Sequence, residues 1–113
     1  MHEVSLIQSI NEAVMAEMPK HNITKIESIT LRIGEMRQVI PDTLIFAFEI
    51  LSKDTPLEGA KLIVENVPTR GRCKKCGHDF AVDDWFRTCS KCGGGDIEII
   101  SGKELEIVEF EGV

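Results

Sequence analysis

Tyrosine is absent from this chain of 113 residues, tryptophan occurs once, and aromatic residues make up only 5%. A core built with so few rings must rest on Ile, Leu and Val, whose shapes have to interlock closely. Long apolar runs are missing too: charges interrupt each one well short of the roughly 18–20 residues a membrane helix needs, so no membrane span is expected. The opening Met1-His2-Glu3 lacks the basic-then-apolar profile of a secretory signal, and the chain is therefore expected in the cytoplasm. Basic charge is scarce, with 13 Lys and Arg against 19 Asp and Glu. Six of those basic residues lie between Arg70 and Cys92, beside Asp79, Asp83 and Asp84, so the rest of the chain carries seven basic against sixteen acidic groups. Such a body repels polyanions, which argues against a nucleic-acid reader. The length suits one domain, or a small domain plus a metal-stapled module.

Cysteine is also missing from most of the chain, and its confinement is the strongest signal. All four cysteines fall between Cys73 and Cys92, in two Cys-x-x-Cys pairs, Cys73/Cys76 and Cys89/Cys92, each followed by glycine. A two-residue gap lets both sulfurs of a pair face one ion, and the glycine permits the tight turn that aims N–H groups at sulfur. Four soft ligands predict a closed, tetrahedral zinc site, structural rather than hydrolytic, because no position is left for water. Redox dithiols, an iron–sulfur cluster and disulfides are the rival readings; a reducing compartment disfavours the last. The spacer of twelve residues has room for a short hairpin, with Phe80, Val82, Trp85 and Phe86 covering it or, as the sharper alternative, forming a stacking platform. His78 is placed near the zinc or on the exposed hairpin.

Elsewhere the pattern alternates between helical and extended. Leu6, Ile7, Ile10, Ala13, Val14 and Met18 recur at helical spacing from Glu3 onward, with Ser5 as candidate cap and Pro19 as the stop. Residues 24–34 read as a strand, with Ile29, Leu31 and Ile33 on one face. Pro41-Asp42 opens a second helix whose run Leu44 to Phe48 is apolar nearly all round, which predicts deep burial. The Glu58-Gly59 turn leads into a strand ending at Val67, Ile97–Ile100 is extended, and Glu104–Glu111 alternates acid with apolar as a half-buried strand does. The fold expected is α+β: a three-stranded sheet with two helices, formed by residues 1–69 and 103–113, carrying an inserted four-cysteine zinc ribbon at 70–102. No nucleophile–base pair is recognisable, so no enzyme activity is expected.

A second candidate metal site lies at the N-terminus. The Met1 amine, the His2 amide and the His2 imidazole can close two chelate rings on one ion, a nitrogen-rich planar set suited to Ni(II) or Cu(II), with Glu3 adding charge or an outer hydrogen bond. His21, in the turn after Pro19-Lys20, is read as a surface residue.

In order along the chain, Met1-His2-Glu3, Ile33-Gly34-Glu35, Glu58-Gly59-Ala60 and the two Cys-x-x-Cys pairs together resemble the HypA family, nickel metallochaperones for [NiFe]-hydrogenase maturation. The resemblance covers essentially the whole chain. It implies Ni2+ as cargo at His2 and Glu3, with the Met1 amine and backbone amides, and structural Zn2+ at Cys73, Cys76, Cys89 and Cys92. It implies a HypB-type GTPase and the [NiFe]-hydrogenase large-subunit precursor as partners, with urease as client for some members and a weak homodimer left open. Certain members carry a histidine after both cysteine pairs, whereas this chain has His78 after the first and Gly93-Gly94-Gly95 after the second. A histidine-for-cysteine exchange sensing pH or nickel therefore lacks its second histidine here. The alternative class is a zinc-ribbon adaptor for protein or nucleic acid without nickel transfer.

Overall fold

The computed structural model describes residues 3–82 and 88–113. Helix α1 (Glu3–Glu17) presents Leu6, Ile7, Ile10 and Val14 to the core, one helical stripe over four turns. Its start at Glu3 puts Ser5 inside the first turns, so Ser5 is not the cap the sequence suggested. Pro19 does end the α-helical pattern, in a 3₁₀ turn over Met18–His21 that Asn22 closes with a left-handed conformation.

Strand β1 (Ile26–Gly34) is the centre of a three-stranded sheet. Helix α2 (Pro41–Leu51) carries the chain across to β2 (Lys61–Val67), parallel to β1, because parallel neighbours need a crossover. The C-terminal strand β6 (Leu105–Gly112) pairs antiparallel on the other side of β1. Ile29, Leu31 and Ile33 are all buried, as their alternation predicts. With Leu62 they meet the apolar stripe of α1 and the Leu44–Ala47–Phe48 face of α2. On the opposite face Arg32 bridges both neighbours, Glu106 at 3.1 Å and Glu65 at 3.5 Å. The Ile107-Val108 doublet would break the alternation of β6. A bulge there absorbs the extra residue, and Phe110 returns opposite Ile29.

The deep burial expected of α2 is not found. Phe46 is 63% exposed and Ile50 49%, while only Leu44, Ala47 and Phe48 are buried. The sheet covers one side of this helix and α1 lies against it, but nothing among the described residues covers the remaining face.

Strands β3 (Arg70–Cys73), β4 (Asp79–Ala81) and β5 (Ile97–Ser101) form a second sheet in the order β4-β3-β5, antiparallel throughout. Its core is small: Cys73, Phe80, Val82 and Cys89 are buried, with Ile97 and Ile99 against them. Gly71 at the middle of β3 makes that packing fit, since a Cβ there would lie 2.6 Å from the Ile97 methyl and 2.7 Å from that of Val82. The molecule is elongated, 54 by 26 by 17 Å. No described helix is long and apolar enough to cross a membrane.

A candidate four-thiolate metal centre

Two turns with the same hydrogen-bond pattern build the site. In the first, the Gly77 N–H donates to the Cys73 carbonyl at 2.8 Å and the Cys73 N–H to the His78 carbonyl at 2.9 Å. In the second, Gly93 donates to Cys89 at 2.9 Å and Cys89 to Gly94 at 2.8 Å. Each turn closes through a glycine in the left-handed region, Gly77 at φ +78° and Gly93 at φ +74°, where a side chain would be strained. The conformation follows directly from Cys-x-x-Cys-Gly.

The turns bring four sulfurs to one point. The Sγ atoms of Cys73, Cys76, Cys89 and Cys92 all lie within 4.8 Å of one another, and the Cys73–Cys92 and Cys76–Cys89 pairs stand at 3.5 Å. A zinc with Zn–S bonds of about 2.3 Å places tetrahedral sulfurs about 3.8 Å apart, so the residues fit the ion. Cys73 and Cys89 are buried, Cys76 and Cys92 exposed. The Lys91 and Cys92 N–H groups both donate to Cys89 Sγ at 3.4 Å. Among the described residues these cysteines are the one group of three or more side chains able to share a metal.

Electrostatics divide the thiols. Burial pushes the Cys89 thiol up, but the Cys92 and Lys91 N–H groups outweigh it and bring it down to about 6. Cys73 is also lowered, chiefly by the Cys76 N–H. At Cys76 the His78 N–H acts downward, yet burial and hydrogen bonds shared with Cys89, Cys73 and Cys92 carry it up to about 11. Four thiolates cannot crowd together without a cation, and this uneven ionisation is the demand a divalent ion meets.

Around the centre, Arg72 clamps Asp79 across the β3–β4 pair with Nε–Oδ1 at 2.7 Å and a second bond at 3.2 Å. Sequence reading missed this clamp; the Arg–x₆–Asp spacing across a hairpin was its only signal. His78 is half-buried and stacks on Phe80 with ring centroids 5.9 Å apart, outside the sulfur group. The equivalent position in the second turn is Gly94, where a Cβ would meet Cys92 Sγ at 3.3 Å and Cys73 Sγ at 3.7 Å. His21 is exposed, edge-on to Phe110. Glu3 opens α1, favourably placed at a helix N-terminus. Met1, His2, Trp85 and Phe86 lie outside the described residues.

Fold and site define a small α+β protein with a four-cysteine metal centre consistent with zinc. A family model described as hydrogenase/urease nickel incorporation, metallochaperone, HypA matches residues 1–112. The hydrogenase maturation factor HypA of Geobacter metallireducens is 40% identical over 111 residues, 98% of each chain, and that of Desulfosudis oleivorans is 37% identical over 112, covering 98% of this chain and 97% of that one. A solution structure of HypA protein superposes with a TM-score of 0.75 at 26% identity, over all of this chain and 97% of that one. The solution structure of the Ni metallochaperone HypA from Helicobacter pylori gives 0.69 at 24% identity, over 100% and 98%, which speaks for the fold alone. The chain belongs to the HypA family, the metallochaperones of nickel incorporation.

Proposed function

We propose that this protein binds Ni(II) at its N-terminus and delivers it, with a HypB-type GTPase, to the precursor of the [NiFe]-hydrogenase large subunit in the cytoplasm. The carrying observation is that the family match starts at residue 1, so it includes His2 and Glu3. The donors are the Met1 amine, the His2 imidazole and backbone amides, with Glu3 as the adjacent acid. Residues 1–69 and 103–113 form the nickel-binding body and residues 70–102 the zinc-binding module. Zn2+ at Cys73, Cys76, Cys89 and Cys92 is structural; it would supply the charge that lets four thiolates share one point. A chelate at a chain end suits transfer, because protonation or displacement of its donors opens it without disturbing the packed core. An uncovered apolar face bordering Glu3, with Val4, Phe46 and Ile50, supports a handover partner at this end.

The test is nickel titration of the untagged protein by absorption, with zinc quantified in the same sample. His2→Ala is expected to abolish nickel binding and keep zinc. Nickel bound by His2→Ala at the wild-type stoichiometry would overturn the reading.

A further inference from the structure

Strand β6 is an edge of the first sheet, and the space between it and α1 is open. One hollow of about 300 Å³ is lined by Leu6, Ile10, Leu31 and Leu105. Further along the same two elements, a second of about 600 Å³ is lined by Ala13, Val14, Ile23, Ile107 and Phe110. Both linings are mainly apolar, with Ser9 and Glu106 also at the first and Glu17, His21 and Glu109 also at the second. The strand itself is uncovered among the described residues, with Leu105 37% and Val108 42% exposed.

The other face of β6 is acidic. Glu106, Glu109 and Glu111 stand opposite Arg32, Thr30 and Ser28 of β1. Arg32 answers Glu106 at 3.1 Å; among the described residues Glu109 and Glu111 have no cationic partner. The bulge at Ile107-Val108 keeps all three carboxylates on that face. An edge strand thus offers free backbone groups, an apolar trough on one side and unanswered negative charge on the other.

We propose that the β6 edge binds a strand from a partner protein, an extended segment alternating Lys or Arg with aliphatic residues. Main-chain bonds to the edge supply affinity, and the two-residue period of the incoming strand sorts its side chains. Aliphatic ones enter the trough against α1, and cationic ones meet Glu109 and Glu111. Charge selects against a second copy of this chain, because β6 pairing with β6 sets glutamates against glutamates. The bulge and the acids guard against indiscriminate self-pairing, so the edge remains available to a basic strand. This surface is independent of the nickel reading.

The probe is a capped peptide alternating lysine with valine, matched to the eight residues of β6. Its control has the same composition with the lysines and valines in two blocks. With the ¹⁵N-labelled full-length protein, the alternating peptide is expected to shift and protect amides of β6, to shift those of Leu6, Ile10 and Ala13, and to bind more weakly as salt rises. Glu109→Lys combined with Glu111→Lys should weaken it about tenfold while leaving the rest of the spectrum unchanged. The proposal is overturned if the block peptide binds as well, if the shifts map away from β6 and α1, or if the double variant binds unchanged. Self-association that protects β6 amides without peptide also overturns it.

Discussion

Gly34 and Gly102 touch backbone to backbone where the two sheets meet. The Gly34 N–H donates to the Glu104 carbonyl at 2.7 Å, and the Met36 N–H to the Gly102 carbonyl at 2.9 Å. A Cβ on Gly34 would fall inside the Gly102 carbonyl group, and one on Gly102 would lie 2.6 Å from Thr69 Oγ1 and 2.8 Å from its Cα. The end of β1, the entry to the second sheet and the return from it are thus packed with no room for a side chain. Gly34→Ala is expected to destabilise the protein by about 3 kcal/mol or more, because backbone rather than a flexible side chain must yield. Gly59→Ala is the contrast: its Cβ meets nothing, and only the φ of +80° resists, at about 1–2 kcal/mol. Urea denaturation of the two variants, compared at equal zinc content, checks the ordering.

Glu104 belongs to the same junction. Its Oε1 accepts the Gly102 N–H at 2.6 Å, and hydrogen bonds from its own N–H and that of Gly102 hold its carboxyl below the ordinary 4.5. A carboxylate whose folded pKa is depressed binds fewer protons folded than unfolded. It contributes stability above its ordinary value and loses it as pH falls through the folded one. Glu104→Gln should therefore flatten the fall in stability below about pH 4.5 while changing little in its shape at neutral pH. Denaturation midpoints at a series of pH values, taken as differences between the variant and the parent, measure this. Parallel curves would refute it.

A buried polar contact joins α1 to Ser52, the residue that caps the C-terminus of α2. Asn11 Nδ2 donates to Ser52 Oγ at 3.3 Å, both residues are at most 5% exposed, and among the described residues Asn11 Oδ1 has no hydrogen-bond partner. Removing one partner strands the other. Ser52→Ala should cost about 1–3 kcal/mol, whereas Asn11→Leu with Ser52→Ala should cost less than the two single changes added together. A double-mutant cycle by chemical denaturation reads the coupling directly.

The elements most legible from sequence are those with a strong period. α1 and β1 follow from the spacing of Leu6, Ile7 and Ile10 and the alternation of Ile29, Leu31 and Ile33, because one stripe or face of each meets the core. The sulfur cluster follows from Cys-x-x-Cys-Gly, since the spacing itself dictates the turn. What was missed has no local signature. Arg-Gly-Arg-Cys becomes a strand only because β4 and β5 flank it. The composition of α2 reveals its hydrophobicity but not that Phe46 is left 63% exposed. The Gly34–Gly102 approach joins positions 68 residues apart and is a property of the fold alone.

Zinc removal is expected to separate the two sheets in stability. Among the described residues the core of the second sheet is Cys73, Phe80, Val82 and Cys89, two of them candidate metal ligands, whereas the first sheet rests on a core running from α1 through β1 to α2. Structural zinc in small modules supplies about 10–16 kcal/mol, far more than so small a core can replace. Chelation under reducing conditions should therefore release amide protection in β3, β4 and β5 and leave β1 and β2 protected, as hydrogen exchange would show. Rebinding should carry a proton signature as well. Once the apo module has unfolded, its cysteines lose the N–H bonds of the two turns and return to the ordinary thiol range of about 8.5, so they are largely protonated at neutral pH. Protons released per zinc, followed by calorimetry in buffers of different ionisation enthalpy, should therefore decrease as pH rises through about 8.5. Affinity should fall as pH drops below that range, because each proton that zinc must displace opposes binding.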